Sequence, residues 1–396
     1  MSTGVTAPLG FRAAGVEAGI KPGRRDLALV VAEASCAAAG VFTTNRAAAA
    51  PVLVSRAHLD SGRARAIVAN AGCANAATGP AGLEDAKEMA RLVAAAVGCP
   101  AGDVVVASTG VIGVALPMER VRAGIAAAAE RLSADGGGDA ACAILTTDTR
   151  PKEIAVELSV GGATCTIGGM AKGAGMIAPR MATMLSFFTT DAAVEAGLLR
   201  RALVHAIDAS LNRITVDGDT STNDCAVVLA SGARGAPAIG GEGEDFDAFR
   251  EGLTRAATAL ASMLVRDGEG VTRVAEVRVE GAHTPDEADR VARVVAESPL
   301  VKTALHGGDP NWGRVLAAAG RAGADFDPDR ISIWLGDVPV AERGAALDYA
   351  EERAAAAMRE DPVRIRIHLG RGGAAAHMWT SDLSPGYVDI NSHYRS

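Results

Sequence analysis

The residues most able to do chemistry lie in one stretch near the middle of the chain, residues 172–185, KGAGMIAPRMATML. A glycine-rich loop carrying Lys172 precedes Thr183, which follows the small residue Ala182 in an apolar, strand-like run. A threonine at a new N-terminus has a hydroxyl nucleophile and its own α-amine as base, with an ordinary amine pKa of about 8. The layout predicts that the chain cuts itself by attack of the Thr183 hydroxyl on the Ala182 carbonyl. The alternative is a plain β-branched residue in a strand.

Acyl chemistry also needs hydrogen-bond donors aimed at the negative charge that develops on the carbonyl oxygen. Thr109 and Gly110 follow an apolar run, residues 104–108, that predicts a buried strand. The Thr109 hydroxyl and a backbone N–H are therefore a candidate oxyanion hole. An ordinary glycine between strand and turn has the same local sequence, so both interpretations stay open. The polar run 306–314 is equally typical of a functional loop and of a plain turn.

Other kinds of site fail on residue spacing. Gly168 and Gly173 have the glycine spacing of a P-loop, but Ala174 stands where the phosphate-binding lysine belongs. The acidic run 217–224 lacks the mid-loop glycine and final glutamate of a calcium loop, and is more typical of a turn held by side-chain hydrogen bonds. The seven histidines form no HExxH or HxxxH pair and the six cysteines form no CxxC pair, so we expect no metal site.

Composition narrows the class of protein. The 396 residues are enough for one large or two ordinary domains. The net charge of −8 and the aromatic content of 3% argue against nucleic acid or an anionic membrane as a partner. No apolar run of about 18 residues predicts a membrane span, and the N-terminus lacks the features of a signal peptide. With scattered, unpaired cysteines, these features predict a cytoplasmic protein.

Hydrophobic periodicity places helices and strands in alternation along the chain. Thr284–Glu287 (TPDE) is a clear helix start, with an N-cap threonine, proline at the first helical position and a capping-box glutamate. Residues 1–80 predict short strands and turns, and residues 231–245 a loop. The other predicted helices are 83–97, 117–133, 192–212 and 246–265, and the predicted strands are 67–70, 104–108, 154–160, 274–279, 331–335 and 363–369. The interleaving without a strict βαβ period predicts a layered α/β or α+β fold.

Beyond single motifs, the chain resembles the glutamate N-acetyltransferase family of arginine biosynthesis, also called ornithine acetyltransferases. The resemblance runs from near the N-terminus to Ser396, and its landmarks appear in order. They are STGVIG (108–113), LTTDT (145–149), GGMAKGAGMIAPRMATML (168–185), TTDA (189–192), DGDTSTND (217–224), DGEGVTR (267–273), GGDPNWGR (307–314) and DLSPGYVDINSHYRS (382–396). One such motif would be weak, whereas eight in order are highly specific.

The resemblance implies a precursor that cleaves itself between Ala182 and Thr183, giving an α chain, 1–182, and a β chain, 183–396. The implied fold is a self-processing, N-terminal-nucleophile-like α/β sandwich completed by residues of about 183–280, with a smaller C-terminal α/β domain over about 281–396. Thr183 would carry the acetyl group, and Thr109 and Gly110 would form the oxyanion pair. The implied substrate-binding residues are Thr146, Lys172, Thr183, Glu269, Asn391 and Ser396.

The implied reaction is a ping-pong transfer of acetyl from N2-acetylornithine to glutamate, which releases ornithine and N-acetylglutamate. A lysine suits a substrate carboxylate, and a glutamate suits the cationic amine of ornithine. No cofactor is implied, although some members also accept acetyl-CoA as a donor. The implied assembly is an (αβ)2 heterotetramer or larger. Two alternatives stay open: an N-terminal-threonine amidohydrolase or aminopeptidase that passes its acyl group to water, and a binding protein without catalysis.

Overall fold

The computed structural model describes residues 4–178 and 184–393 of the chain. Contacts divide these residues into two compact units. The first unit holds residues 4–212 and 219–264, and the second holds residues 213–218 and 265–393. By these contacts, residues 265–280 group with the C-terminal part of the chain. The division into chains 1–182 and 183–396 falls outside the described residues and stays a prediction.

The first unit has an eight-stranded sheet in its described residues. Its strands are β1 (Phe11–Val16), β2 (Leu27–Phe42), β3 (Arg63–Cys73), β4 (Val104–Val111), β5 (Lys152–Val160), β6 (Ala163–Lys172), β7 (Leu185–Thr190) and β9 (Cys225–Ala230). Its helices are α1 (Ala50–Leu59), α2 (Gly79–Val97), α3 (Met118–Glu130), α4 (Gly137–Ala143), α5 (Ala196–Ala209) and α6 (Glu244–Arg266), whose last two residues belong to the second unit. The strand order is β4-β3-β2-β9-β7-β6-β5, and β1 also pairs with β2.

Strand β2 explains how this sheet forms layers. Residues 27–31 of β2 pair with β3, and residues 37–42 pair with β9, with a shift of register between Val31 and Cys36. One long strand therefore belongs to two sets of strands. Lys172 of β6 hydrogen-bonds Thr109 of β4, five places away in the strand order. Such a contact requires the sheet to fold over on itself, because neighbouring strands are about 4.8 Å apart.

Both faces of β2 are buried, which is why its sequence is almost continuously apolar. Successive side chains point to opposite faces of a strand. Leu29 belongs to a core cluster with Met89 of α2 and Ile125 of α3, whereas Val30 belongs to another with Phe187 of β7. Burying a leucine completely stabilises a fold by about 1.5–3 kcal/mol. The two clusters therefore hold the layers of the first unit together.

The second unit has a seven-stranded sheet in its described residues, in the order β13-β12-β11-β14-β10-β15-β8. Its strands are β8 (Ile214–Thr215), β10 (Val274–Ala282), β11 (Ser332–Leu335), β12 (Val338–Glu342), β13 (Ala345–Ala346), β14 (Val363–His368) and β15 (Ala374–Ser381). Its helices are α7 (Pro285–Ala296), α8 (Pro299–Gly307), α9 (Trp312–Gly320), α10 (Glu351–Ala357) and α11 (Pro385–His393). One apolar cluster, including Val277, Val291 and Ile365, joins the sheet to its helices.

Most elements predicted from periodicity are confirmed, with ends shifted by a few residues. The helix start at Thr284 is confirmed in detail, since the Thr284 side chain accepts a hydrogen bond from the Glu287 backbone N–H. The prediction for residues 1–80 is wrong in two respects, because β2 is 16 residues long and α1 is a helix. Helix α1 has no side-chain cap at Ala49, so Pro51 in its first turn is the remaining local signal of its start. The layered, mixed α/β fold is confirmed.

The helices of residues 4–178 and 184–393 include none with the length and apolar character needed to cross a bilayer.

Candidate active site

The first unit brings together three predicted site residues that are far apart in the sequence. Lys172, the last residue of β6, donates hydrogen bonds from Nζ to Thr146 Oγ1 at 2.7 Å and to Thr109 Oγ1 at 3.2 Å. An ammonium group only donates, so both hydroxyl oxygens act as acceptors here. Each hydroxyl proton therefore remains able to be donated to a substrate oxygen.

A buried carboxylate lies behind this ammonium group. Asp148 Oδ2 is 4.0 Å from Lys172 Nζ, and its Oδ1 accepts from Lys152 Nζ at 2.7 Å. The backbone N–H groups of Gly173 and Thr146 also donate to Asp148, at 2.7 and 3.1 Å. The carboxylate thus ties the end of β6 to the loop that carries Thr146, which fixes the position of Lys172.

Asp148 is ionised because of its neighbours. Burial alone would raise its pKa, but the ammonium groups of Lys172 and Lys152 and the hydrogen bonds outweigh it and lower the pKa to about 2. Two lysine ammonium groups face this one aspartate carboxylate, so the carboxylate does not fully offset the positive charge of Lys172. Such a charge beside two hydroxyl groups suits a substrate carboxylate or a developing oxyanion.

A cleft of about 1090 Å³ opens beside this site, lined by Lys21, Arg24, Thr146 and Asp148 among others. The Lys21 ammonium donates to the Leu145 carbonyl, next to Thr146. Burial, followed by the nearby charge of Arg24, lowers the pKa of Lys21. The cleft has the size of a small-molecule site and basic groups on its wall.

Gly110 lies at an irregular strand end that only glycine fits. Its φ of +130° is unfavourable for other residues, and an added Cβ would lie 2.4 Å from the carbonyl carbon of Gly72. Cys73 of β3 pairs with both Thr109 and Val111 of β4, which marks a bulge. The glycine is therefore required by close backbone packing, and its predicted place in an oxyanion hole stays a prediction.

The acidic run 217–224 supports this strand end. The Asn223 side-chain amide donates to the carbonyl of Ser108, just before Thr109, at 2.9 Å, and to that of Ala74 at 2.6 Å. The Ser221 hydroxyl accepts from the Asn223 backbone N–H at 3.1 Å, which confirms the predicted turn with side-chain hydrogen bonds. Asp224 is buried, and this burial raises its pKa well above the ordinary value.

The second unit brings together two other predicted residues. Glu269 is buried, and its Oε2 accepts from the Asn391 side chain of α11 at 2.7 Å. The next residue, Gly270, packs so closely that an added Cβ would lie 2.3 Å from the Tyr387 backbone nitrogen. A carboxylate held by an amide is an acceptor for a cationic amine.

The predicted residues Ala182, Thr183 and Ser396 lie outside the described residues. Thr109, Gly110, Thr146 and Lys172 belong to the first unit, and Glu269 and Asn391 to the second. The roles assigned to them above stay predictions.

Sequence reasoning missed the charged residues that hold this machinery in place. Asp148 stands in the landmark LTTDT, two residues after Thr146, and Asp382 opens the landmark at 382–396. The available signal was that each of these acids stands in a landmark that also contains a candidate site residue. Lys152, which is 1% exposed, had no such signal, because it stands just before residues 154–160, which predict an ordinary strand.

Fold and site together define a layered α/β enzyme with a buried lysine between two threonine hydroxyls. The ArgJ family model matches residues 12–396. The arginine biosynthesis bifunctional protein ArgJ of Symbiobacterium thermophilum is 53% identical over 100% of this chain and 99% of its own. The protein of the same name from Dehalococcoides mccartyi is 48% identical over 98% of this chain and 96% of its own.

A crystal structure of the arginine biosynthesis bifunctional protein argJ from Bacillus halodurans also matches, with 42% identity and a TM-score of 0.52. It covers 54% of this chain and 100% of that chain. The chain belongs to the ArgJ family, and the predicted enzyme class, an acyltransferase of arginine biosynthesis, is confirmed with it.

Proposed function

We propose that the chain cleaves itself between Ala182 and Thr183 and then transfers acetyl from N2-acetylornithine to glutamate through an acetyl ester on Thr183. The observation that carries this proposal is the contact of Lys172 with the hydroxyls of Thr109 and Thr146. It places a lysine ammonium and two donatable hydroxyl protons at one point. Acyl transfer between amino acids needs both features, for the substrate carboxylate and for the oxyanion.

The first half of the reaction is the attack of Thr183 Oγ on the acetyl carbonyl carbon of N2-acetylornithine. The α-amine of Thr183 takes the hydroxyl proton. The Thr109 hydroxyl and the Gly110 N–H stabilise the resulting oxyanion. The carbon–nitrogen bond then breaks, and the amine of ornithine leaves with that proton.

In the second half, the amine of glutamate attacks the acetyl ester. The α-amine of Thr183 accepts a proton from the attacking amine and returns it to Thr183 Oγ as the ester bond breaks. N-acetylglutamate leaves, and the enzyme is regenerated without a cofactor. In both halves Lys172 holds the substrate carboxylate by a charged hydrogen bond.

Glu269 is the acceptor proposed for the side-chain ammonium of ornithine. Its burial makes a charged hydrogen bond stronger than it would be in water. Asn391 holds one of its oxygens, so the other is oriented for a ligand. Ser396 is proposed as a further substrate contact on the resemblance alone.

The length of the Bacillus halodurans chain supports self-cleavage. The whole of that chain matches 54% of this one, and residues 183–396 are the same share, 214 of 396 residues. The proposed cleavage therefore gives a fragment of the size of that solved chain. The (αβ)2 assembly, the use of acetyl-CoA as a second donor and the cytoplasmic location stay predictions from the resemblance and the sequence.

The proposal is tested by the intact mass and N-terminal sequence of the purified protein. Two chains are expected, the second beginning with Thr183, Met184 and Leu185. The Thr183→Ala variant is expected to stay uncut and inactive, whereas Thr183→Ser, which keeps a hydroxyl, is cleaved. A processed and fully active Thr183→Ala variant would overturn the proposal. With glutamate present, N-acetylglutamate is the expected product, and free acetate would favour the amidohydrolase.

A further inference from the structure

A second buried carboxylate, Asp382, collects four hydrogen bonds in the second unit. Its Oδ1 accepts from the backbone N–H groups of Thr272 at 2.9 Å and Arg273 at 3.1 Å. Its Oδ2 accepts from the Thr272 hydroxyl at 2.5 Å, and lies 2.8 Å from His306 Nδ1. We name these four residues the Asp382 cluster. The roles of Asp382 and His306 are not explained by the acetyl-transfer steps above.

The cluster keeps Asp382 ionised and defines the orientation of the histidine ring. Burial disfavours the charged form, but hydrogen bonds from Thr272, His306 and Arg273 outweigh it and lower the pKa of Asp382. A carboxylate without a proton can only accept, so His306 Nδ1 is the donor. The hydrogen bond thus selects one tautomer and one ring orientation.

The cluster is joined to Glu269 by two short segments that lie side by side. Thr272 follows Glu269 by three residues, and Asp382 opens the segment that ends at Asn391. The Asp382 N–H donates back to the Arg273 carbonyl at 3.0 Å. At the other end, Asn391 holds Glu269. Midway, the Ser384 hydroxyl donates to the Gly270 carbonyl at 2.5 Å.

This arrangement fixes the backbone that follows Glu269. The segments are in contact at the cluster and at Gly270, and Asn391 holds the Glu269 side chain, so both the backbone just after Glu269 and its carboxylate are held. A binding carboxylate needs to be held to within about 0.5 Å to act on its ligand efficiently. A buried carboxylate is weak evidence for stability as such, because an apolar replacement is often as stable. The contribution of Asp382 here is to hold the neighbouring segments in position.

We propose that Asp382 is a positioning residue for Glu269, and that the Asp382 cluster thereby sets recognition of the substrate's cationic amine. The inference rests on the proposed function, in which Glu269 binds that amine. Asp382 itself does not touch the substrate. His306 and Thr272 act through Asp382, and their loss is expected to have a smaller effect of the same kind.

The test compares Asp382→Asn with a matched control, Asp325→Asn. Asp325 forms an exposed ion pair with Arg371 in the same unit, at 2.9 Å. The asparagine at 382 still accepts from the two backbone N–H groups but cannot accept at both of its terminal atoms. We expect the KM for N2-acetylornithine to rise about tenfold, with kcat changed less than about threefold. The control is expected to leave both values and the melting temperature unchanged.

A double-mutant cycle with Glu269→Gln separates positioning from plain stability. If Asp382 acts through Glu269, adding Asp382→Asn to Glu269→Gln raises KM no further, because both substitutions weaken the same interaction of residue 269 with the substrate's amine. Additive effects, or an unchanged KM in Asp382→Asn, would overturn the inference. If Asp382→Asn does not fold, Thr272→Val removes one hydrogen bond to the same carboxylate and is judged by the same cycle. Absence of acetyl transfer in the unmodified protein would instead sink the proposed function.

Discussion

The pKa values of two buried aspartates in the first unit are shifted in opposite directions. The pKa of Asp148 is lowered to about 2, whereas that of Asp224 is raised well above its ordinary value. Both side chains are buried, so burial alone does not explain the difference. Asp148 has two lysine ammonium groups and two backbone N–H groups as partners. Among the described residues, nothing hydrogen-bonds Asp224 Oδ2.

The comparison teaches that partners decide the charge of a buried acid. A buried carboxylate beside cations is stable in the ionised form and becomes a fixed negative charge in the site. A buried carboxyl group with too few hydrogen-bond donors around it keeps its proton and is neutral. Among the buried aspartates of the first unit, Asp148 is therefore charged and Asp224 favours its protonated form, and their replacement by asparagine should have unlike effects.

The largest effect is expected for Asp148→Asn. The substitution removes the charge beside the Lys152 ammonium, which is buried, and loses an acceptor for the Thr146 N–H. Breaking a buried ion pair costs about 3–5 kcal/mol in free energy of unfolding. Chemical denaturation at neutral pH measures it. The matched control is Asp139→Asn, which breaks the exposed pair with Arg25 and should cost at most about 1 kcal/mol. Equal losses in the two variants would contradict the comparison.

Lys172→Met is expected to act mainly on catalysis. The variant keeps most of the length of the side chain but loses the ammonium that binds Thr109 and Thr146. A charged hydrogen bond contributes about 1.5–3 kcal/mol, so kcat/KM should fall roughly 10- to 150-fold. Asp148 keeps Lys152, and the free energy of unfolding should fall less than in Asp148→Asn. Steady-state kinetics and denaturation of the same sample check both points. An unchanged kcat/KM would show that Lys172 is not part of the catalytic site.

The local part of the fold could be predicted from the sequence, and the long-range part could not. Periodicity gives α2, α6 and β10, because each shows its buried face in its own residues. The double pairing of β2 depends on strands that come later in the chain, so no local pattern contains it. Helix α1 was missed for a local reason, because Ala49 provides no side-chain cap to mark its start.

The site divides in the same way. Thr146 and Lys172 come from motifs that the family resemblance identifies. The contact of Lys172 with Thr109 joins residues 63 positions apart, and it follows only from the folding-over of the sheet. The ionisation states of Asp148 and Asp224 also could not be predicted from the sequence. Both aspartates stand in polar motifs, and only the structure shows that two lysine ammonium groups lie close to Asp148.

Near pH 4 the smallest effect is expected for Asp224→Asn, and this effect should grow as pH rises. The raised pKa means that folded Asp224 keeps its proton at pH values where the unfolded chain, with a pKa of about 3.8, has released it. The folded state then binds more protons, so the free energy of unfolding falls as pH rises, by up to about 1.4 kcal/mol per pH unit. Asparagine is neutral in both states and lacks this slope.

Asp224→Asn should therefore gain stability relative to the unmodified protein as pH rises from 4 to 7. Denaturation curves of both proteins across that range measure the difference. The contribution of Asp148 to the free energy of unfolding depends on pH with the opposite sign. Its lowered pKa stabilises the fold above pH 3.8, and that stability is lost as pH falls towards 2. If the two Asp224 curves run parallel, folded Asp224 is ionised like Asp148. Burial with few partners would then not suffice to keep an aspartate neutral in this protein.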